Sequence, residues 1–417
     1  MTGRSGFRGN FDRHGSSLVH RCARTLIRMV GSISKRDISS PGTTTMSILN
    51  RLRRRHRRPL RALQVEVTSR CARRCAICPR SSLAETWREG DLDDALWKVV
   101  AADLELTEHV QLQGWGEPLL HPLLPTWARD ARAAGCTVGL TTNGDLLEKA
   151  ASWLLEGDVD QIVVSVAGNA DNHAALRDGS QLESVLAAAG NLAHRGRERR
   201  VPLRILISYL LTRNNAADLP AVVRLAARAR VDELFVTHLD CPTSPALVEQ
   251  AAFSGDALIG GVTAHLREAE TVASESGIAF RDQTQGGEEQ LVCSLDPLRF
   301  AFVGWDGRVG PCVNLLLPVE GPIPRWSANG CTEVDAVSYG RLDTIGLADL
   351  LSSDTRTCFV APWTRRLEAE RRFLASVPEL SVTGLRELDR ADTIRTIALS
   401  ANSFPDACTH CPKAHGW

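Results

Sequence analysis

Two hydrophobic patterns alternate along the chain from about residue 63 onwards. Short apolar runs are typical of buried strands, and the stretches between them carry apolar residues every three to four positions, as on one face of a helix. The predicted strands are Leu63–Val67, His109–Gln113, Cys136–Thr141, Gln161–Val166, Leu203–Leu210 and Glu233–Thr237. The predicted helices are Leu92–Leu106, Leu124–Ala134, Leu146–Leu155, Leu182–His194, Ala217–Ala227 and Asp256–Ser276.

This alternation predicts an α/β fold. Strands that alternate with helices favour right-handed crossovers and a parallel sheet. About six such units are too few for a closed eight-stranded barrel and predict a partial (β/α)6 barrel. Active sites of parallel α/β folds lie at the carboxyl ends of the strands, so functional residues are expected directly after each predicted strand.

The composition narrows the possible partners. The 417 residues are 43% hydrophobic, which is enough for one large domain or for two. Lys and Arg (49) balance Asp and Glu (49), so the net charge gives no general reason to expect nucleic acid as a partner. The sequence contains no apolar run long enough for a transmembrane helix, and we expect no membrane partner.

Residues 1–60 differ from the rest. They are rich in Arg, Ser and Gly and end in the basic run Arg51–Arg61. This composition favours a solvated, disordered extension over a contact with nucleic acid, a membrane surface or an acidic carrier. All three methionines lie here, so translation starting at Met46 is a further possibility.

Twelve cysteines need an explanation in a chain of this length. The first thirty residues are rich in Arg and lack the apolar stretch of a secretory signal, which argues against a secreted disulfide scaffold. Seven cysteines stand in clustered or paired spacings, which favours metal binding in a reducing cytoplasm.

The first cluster directly follows the first predicted strand. Cys71, Cys75 and Cys78 form the pattern C-x3-C-x2-C. Thiolates at this spacing suit an iron–sulfur cluster or zinc, but zinc normally takes four protein ligands and no fourth Cys or His is close in sequence. Three thiolates on a [4Fe–4S] cluster leave one iron free to bind a small molecule.

This triad resembles the signature of the radical S-adenosylmethionine (radical SAM) superfamily. The resemblance implies that the open iron binds SAM and that one electron from the cluster cleaves it to a 5′-deoxyadenosyl radical, which abstracts hydrogen from a substrate. It also implies that the backbone of Ile77, at a position that is often aromatic in the family, faces the adenine of SAM.

Further segments resemble the family in the expected order. Residues 114–118, Gly-Trp-Gly-Glu-Pro, are similar to the element that binds the SAM amino group through Gly114, Gly116, Glu117 and Pro118. The Thr-Asn-Gly segment around Asn143 is similar to one at the SAM pocket. Ser165 and Arg177 resemble the residues that contact the ribose and carboxylate of SAM. The family has an aspartate near the position of Ala167, and this chain lacks it.

A second group of cysteines lies towards the end of the chain. The alternating stretch Arg299–Val303 and the Asp306–Gly307 turn predict a hairpin that brings Cys293 and Cys312 together. Cys408 and Cys411 form a terminal C-x2-C pair.

This arrangement resembles the twitch domain, the short form of the SPASM extension of radical SAM enzymes. The resemblance implies a fully ligated auxiliary [4Fe–4S] cluster on Cys293, Cys312, Cys408 and Cys411. A four-cysteine zinc site is the alternative, and Cys331 and Cys358 are possible extra ligands. The predicted organisation is a 1–60 extension, a 61–288 radical SAM core and a smaller α+β twitch/SPASM-like domain at 289–417, within which Leu385–Ala398 has helical spacing.

The remaining predictions concern the reaction. Cys241 follows the sixth predicted strand and is a candidate hydrogen donor, Cys136 is expected in the core, and Tyr209, His238 and Asp240 are candidate bases at strand ends. The resemblance implies oxidation of a small polar metabolite such as a sugar or aminocyclitol, with flavodoxin or ferredoxin as electron donor. The alternatives are modification of a peptide or protein side chain and a non-catalytic metal-binding scaffold.

Overall fold

A ten-stranded sheet forms the centre of the computed structural model, which describes residues 58–254, 257–282, 289–376, 396–397 and 399–417. These residues belong to one structural unit, Arg57–Trp417. The predicted extension and the predicted helix Leu385–Ala398 lie wholly or mostly outside the described residues. Among the described residues, no helix is both long and apolar enough to cross a bilayer.

Six parallel strands form the body of this sheet, in the order in which they occur along the chain. They confirm the predicted parallel α/β arrangement, and their carboxyl ends share one edge. The strands are β1 (Ala62–Val65), β2 (His109–Leu112), β3 (Thr137–Thr142), β4 (Gln161–Val166), β5 (Arg204–Leu211) and β6 (Glu233–His238).

The helices of this part of the chain are α1 (Pro79–Ser82), α2 (Asp94–Ala102), α3 (Leu124–Ala133), α4 (Leu147–Leu154), α5 (Ala170–Leu176), α6 (Leu182–Glu198), α7 (Leu219–Arg228), α8 (Pro245–Gln250) and α9 (Val262–Ser276). Of these, α2, α3, α4, α6, α7 and α9 pack against one face of the strands, whereas α5 and α8 contribute to a separate apolar cluster around Ile77. Trp97 of α2 and Trp127 of α3 are fully buried against that face and stack with ring centroids 5.1 Å apart. This layer contains the main hydrophobic core, because Val65, Leu112 and Leu140, paired across β1–β3, are 0% exposed.

The opposite, concave face is polar along much of its length. Since side chains alternate along a strand, it carries Gln113 after β2, Thr141, Ser165, Ser208 and Thr237, all partly exposed. Gln113 Oε1 accepts a hydrogen bond from Thr141 Oγ1 at 2.5 Å, and Ser208 and Thr237 hydroxyls lie 3.3 Å apart. The face of the sheet away from the helices is therefore polar and partly exposed, and it is called the polar lumen below.

Two predicted helices are longer than the observed ones. Within Leu92–Leu106 the helix spans only α2, because Asp93 caps its start by accepting from Ala95 N at 2.7 Å. Within Asp256–Ser276 the helix begins at Val262, after Gly261 with φ +87°. A helix cannot continue backwards through a residue in the left-handed conformation, so it starts after Gly261. The residues before Gly261 include a two-stranded antiparallel ribbon, β7 (Phe253–Ser254) and β8 (Ala257–Leu258).

The C-terminal part extends the same sheet. β10 (Phe300–Val303) pairs in parallel with β1, and β9 (Ala279–Asp282) pairs with β6 at the other side. β10 and β11 (Arg308–Gly310) form the predicted hairpin, with Gly307 at φ +80° in its turn. β12 (Ile323–Ser327) and β13 (Gly330–Val334) form a separate ribbon, followed by β14 (Gly340–Arg341), α10 (Leu347–Leu351) and the long α11 (Asp354–Ser376).

Candidate active site

The three-cysteine loop, residues 71–78, lies at the carboxyl end of β1. A turn closes the end of this loop, with a hydrogen bond from Cys78 N to Cys75 O at 3.1 Å. Burial raises the pKa of all three thiols, that of Cys78 to about 12. A thiol becomes a metal ligand when it loses its proton to the metal. Three partly buried thiols in one short loop are therefore more suited to binding a metal centre than to forming part of the solvent-exposed surface.

The Arg73 side chain and the Arg74 backbone hold this loop against its neighbours. Arg73 forms an ion pair with Asp145 at 2.5 Å, and its Nη1 donates to the carbonyl of Asp178 at 2.8 Å. The backbone N of Arg74 donates to the Asp178 carboxylate at 2.9 Å. The loop after β1 is thereby fixed to the segments that follow β3 and α5.

The segment Gly114–Pro118 crosses directly beside the start of the cysteine loop. A Cβ on Gly116 would lie 2.3 Å from the Thr68 carbonyl oxygen, so only glycine permits this approach. Glu117 N donates to the Arg70 carbonyl at 2.8 Å. Gly114 is equally constrained, because its Cβ would meet the Glu66 side chain at 2.2 Å.

Glu117 links the ends of β2 and β3. Its Oε1 accepts from the Thr142 hydroxyl at 2.8 Å and from Leu119 N at 3.1 Å, and its Oε2 accepts from Asn143 N at 2.8 Å. Burial raises its pKa to about 7, against the opposing effect of these donors. With one bond to Oε2, that oxygen retains a lone pair for a ligand amine.

The other predicted SAM contacts converge on the same edge. Asn143 Nδ2 lies 3.9 Å from Cys71 Sγ. Arg177 Nε is buried and has no hydrogen-bond partner among the described residues. Burial lowers the pKa of Arg177, and the thiols of the loop, when ionised, oppose that effect. Arg177 lies next to the loop, because its carbonyl accepts a hydrogen bond from Arg73 Nη1 at 3.3 Å. A cation in that position fits an anionic ligand next to the cysteine loop.

Ile77 and Ser165 occupy different surroundings. Ile77 is 7% exposed and packs in a small apolar cluster with Ala167, Leu176 and Leu239. Ser165 lies on the concave polar face, in register with Ser208. The structure thus brings Ile77 to an apolar wall of the site, and Ser165 to the polar lumen.

The four C-terminal cysteines share one apolar pocket. Cys408 is buried with Trp363 and Phe404, and Cys293, Cys312 and Cys411 pack against the same cluster. Burial raises the pKa of Cys293 to about 11 and that of Cys312 higher still, and the other thiols of the set add to both shifts. Cys331 and Cys358 are exposed elsewhere. No group of three ligand side chains within the described ranges is arranged to hold a single metal ion.

One buried arginine organises the segments that carry these cysteines. Arg366 of α11 is 0% exposed. Its guanidinium lies 4.3 Å from the Phe404 ring centroid and 2.7 Å from Glu289 Oε1. It donates at 2.8 to 3.3 Å to the carbonyls of Gln290, Leu291, Leu399 and Asn402.

Cys241 lies in a different cluster from both cysteine sites. It is buried with Leu317 and Val319, close to Trp115, and Arg325 Nη1 donates to its Sγ at 2.8 Å. Burial raises its pKa to about 11. Cys136, as predicted, is a buried core residue.

The three candidate bases already have protein contacts. The Tyr209 hydroxyl donates to the Asn215 carbonyl at 2.6 Å, and Asp240 pairs with Lys413 at 2.6 Å. The His238 ring packs edge-on against Trp417.

Sequence reasoning missed several polar residues around the site. Glu66, 1% exposed at the end of β1, accepts from Trp115 N at 2.9 Å, and burial raises its pKa to about 7. A charged residue at the end of an apolar strand was the available signal. Arg325, Lys413 and Arg366 carried no signal, because their partners are distant in sequence.

Known proteins resemble this chain at several levels. Residues 65–226 match the family model described as the radical SAM superfamily. A tungsten-containing aldehyde ferredoxin oxidoreductase cofactor-modifying protein from Pyrococcus furiosus is 26% identical over 360 residues, covering 84% of this chain and 94% of that protein. A PqqA peptide cyclase from Xanthomonas euvesicatoria is 30% identical over 188 residues, 43% of this chain and 47% of its own length.

Solved structures share the fold. SuiB from Streptococcus suis, bound to S-adenosylmethionine, superposes with a TM-score of 0.53 at 13% identity, covering 81% of this chain and 77% of SuiB. This likeness supports the fold. The family match over residues 65–226, which contain the cysteine loop and β2 to β5, identifies this region as a radical SAM domain, and the radical SAM superfamily uses a [4Fe–4S] cluster and SAM as cofactors.

Proposed function

We propose that this radical SAM enzyme abstracts hydrogen from a small polar metabolite and oxidises it. The observation that carries the proposal is the convergence of the three-cysteine loop, Asn143 and the unpartnered Arg177 Nε at one edge of the parallel strands. When bound at this loop, the [4Fe–4S] cluster and SAM supply a 5′-deoxyadenosyl radical.

Residues of the chain hold and orient these groups. Cys71, Cys75 and Cys78 are the proposed cluster ligands, and the lone pair left on Glu117 Oε2 suits the SAM amino group. The Arg177 guanidinium suits its carboxylate, because a buried cation without a hydrogen-bond partner on Nε is stabilised by an anion. Gly114, Gly116 and Pro118 keep the backbone close, Ser165 is the proposed ribose contact, and the apolar cluster around Ile77 excludes water near the adenine.

The polar lumen supports the proposed substrate class. Thr141, Ser208 and Thr237 present hydroxyl groups, and Gln113 presents an amide, to a partly exposed concave surface. Such a lining suits a sugar or aminocyclitol, whose hydroxyl and amino groups need hydrogen-bond partners. The P. furiosus relative, matched over 94% of its length, is named for modifying a cofactor, which also favours a small molecule.

The C-terminal thiols are the proposed site of an auxiliary [4Fe–4S] cluster in a twitch-like domain. Cys293, Cys312, Cys408 and Cys411 pack against one apolar cluster, and four thiols leave no iron open for a substrate. An electron acceptor is the natural use of such a cluster, and it makes the proposed reaction a net oxidation. Cys241 stays a proposed hydrogen donor, with its thiol held by Arg325.

The second candidate function is radical modification of a peptide or protein side chain. The PqqA peptide cyclase relative, at 30% identity over 43% of this chain, favours it. The partial coverage restricts that argument to the barrel region. For either function, flavodoxin or ferredoxin is the proposed electron donor, and the reducing cytoplasm is the proposed compartment because of the free cysteines.

The test begins with anaerobic reconstitution of the full chain. Two clusters give about eight irons per chain and a brown protein, and reduction with dithionite in the presence of SAM gives 5′-deoxyadenosine. Deuterated aminocyclitols and sugars, with a matched panel of peptides, are then tested for transfer of deuterium into 5′-deoxyadenosine. A colourless zinc protein that does not cleave SAM contradicts the proposal, and transfer from peptides alone selects the second function.

A further inference from the structure

The segment that leaves β6 is attached to the C-terminal region by polar contacts. Two of them involve cations and the third is a backbone hydrogen bond. They are Asp240 to Lys413 at 2.6 Å, Cys241 to Arg325 at 2.8 Å, and the Pro242 carbonyl to Trp326 N at 2.9 Å. This end of the barrel is therefore fixed to the part of the chain that carries the proposed auxiliary cluster.

Both cations lie away from bulk water. Arg325 is 7% exposed, and the Lys413 side chain is 21% exposed. Burying a cation is costly unless an anion or hydrogen bonds compensate for it. The Asp240 carboxylate compensates Lys413, whereas the hydrogen-bond acceptors of Arg325 are the Cys241 sulfur and the Asn314 carbonyl oxygen. Lys413 thus has a carboxylate as its direct partner, whereas Arg325 donates its hydrogen bonds to a cysteine sulfur and a carbonyl.

The two cations also lie beside the proposed auxiliary ligands. The carbonyl that Arg325 contacts belongs to Asn314, two residues after Cys312, and Lys413 is two residues after Cys411. Burial alone would lower the pKa of Arg325, but neighbouring thiols in their ionised form, first among them Cys241, together with the Asp240 carboxylate outweigh it and the pKa is raised. Cys411 and Cys312 are among those thiols.

Charge beside an iron–sulfur cluster bears on its redox chemistry. The reduction potential of an iron–sulfur cluster depends on nearby charges, hydrogen bonds to its sulfurs and exposure. A cation stabilises the reduced cluster, which carries one more negative charge, and therefore raises the potential. We propose that Arg325 and Lys413, which join the segment after β6 to the chain directly following Cys312 and Cys411, raise the reduction potential of the auxiliary cluster and so fit it to accept electrons from the substrate site.

This inference rests on the proposed auxiliary cluster, and the experiment separates the two. The full chain with Cys71, Cys75 and Cys78 changed to Ala retains only the auxiliary cluster, whose potential is measured by a redox titration followed by electron paramagnetic resonance. Arg325→Met and Lys413→Met are each expected to lower the potential by about 59 mV, which corresponds to a tenfold change in a one-electron equilibrium.

Variants that remove an anion or keep the cation provide the internal controls. Asp240→Asn removes an anion beside Lys413 and is expected to raise the potential, whereas Arg325→Lys and Lys413→Arg keep the charge and the potential. Lys98→Met, at an exposed helix position paired with Asp94, is the matched distant control and leaves the potential unchanged.

Two outcomes overturn the inference. In one, Arg325→Met and Lys413→Met retain their iron and their signal but leave the potential unchanged. In the other, Asp240→Asn shifts the potential in the same direction as the lysine and arginine variants, which indicates a structural disturbance in place of an electrostatic effect. Failure of the unmodified auxiliary site to bind iron contradicts the proposed auxiliary cluster itself, and is seen before any charge variant is made.

Discussion

The two cysteine sites of this chain are built in opposite ways. Cys71, Cys75 and Cys78 come from one short loop, beside Asn143 and the cationic Arg177. The C-terminal set comes from three separate segments and packs around Trp363 and Phe404. A local loop with a polar opening suits exchange of a small ligand, whereas a distributed apolar pocket suits a closed site.

The structure also connects the two sites directly. Trp115, in the segment beside the three-cysteine loop, donates through Nε1 to the carbonyl of Val313 at 3.3 Å. The neighbouring carbonyl of Asn314 accepts from Arg325. Residues directly after Cys312 thus contact the segment beside the three-cysteine loop and, through Arg325, the segment that follows β6. The two sites are therefore built differently but are connected by contacts of the segment that follows Cys312.

The largest expected effect comes from removing each cysteine set in turn. Changing Cys71, Cys75 and Cys78 to Ala is expected to abolish SAM cleavage, because no cluster remains to deliver the electron. Changing the four C-terminal cysteines to Ala is expected to spare cleavage but to reduce substrate turnover at least about a hundredfold, if that cluster is the electron acceptor. Product analysis by mass spectrometry measures both.

The matched controls for this comparison are the exposed cysteines. Cys331→Ser and Cys358→Ser, on the β12–β13 ribbon and on α11, are expected to retain both activities and all the iron. SAM cleavage that survives loss of all three loop cysteines contradicts the assignment of that loop.

The second effect follows from the distributed construction of the C-terminal site. Arg366→Met removes every hydrogen bond to the four carbonyls that it holds, and is expected to lower the free energy of unfolding by about 3–5 kcal/mol. About half of the iron is expected to be lost, with SAM cleavage retained. Iron analysis and urea denaturation measure these results.

Two variants make the Arg366 prediction specific. Arg366→Lys keeps the charge but not the fork of donors, and is expected to lose less iron than Arg366→Met. Arg372→Met, on the exposed part of the same helix where it pairs only weakly with Glu368 at 3.8 Å, is the matched control. Equal iron loss in both clusters after Arg366→Met would show that the residue supports the whole fold.

The same contrast explains what the sequence predicts. The β10–β11 hairpin depends on neighbouring residues, so strand alternation and the Asp306–Gly307 turn predict it correctly. Arg366 and Arg325 hold carbonyls from segments far away in the chain, and backbone carbonyls leave no mark in a sequence pattern. The helix predicted over Asp256–Ser276 was too long, since periodicity does not show that Gly261 adopts a left-handed conformation.

A third prediction uses the pH dependence of stability to test the surroundings of Arg177, near the three-cysteine loop. His173, buried in α5 four residues before Arg177, has its pKa lowered to about 4 by burial, with the Arg177 charge adding to the effect. The unfolded chain binds that proton more readily, so stability is full above pH 6.5 and is lost as pH falls towards about 4. Between about pH 7 and about pH 5 the expected loss is about 2 kcal/mol.

Urea denaturation at the two pH values measures this loss. His173→Asn is expected to remove about 2 kcal/mol of the pH dependence. Equal pH dependence in the unmodified chain and in His173→Asn contradicts a buried neutral histidine beside the SAM site.

The smallest expected effect tests the open side of the three-cysteine loop. If Arg177 contacts the SAM carboxylate, Arg177→Gln weakens SAM binding about tenfold, or about 1.4 kcal/mol, because one charge-assisted contact is lost. The cluster itself is expected to stay intact, since the guanidinium is not a ligand. Isothermal titration with SAM under anaerobic conditions measures the affinity, and the cluster absorbance reports its integrity. Arg74→Gln, an exposed change within the same loop, keeps full affinity. Equal losses in both variants would mean that the general positive charge of the loop, and not the buried Arg177 guanidinium, attracts SAM.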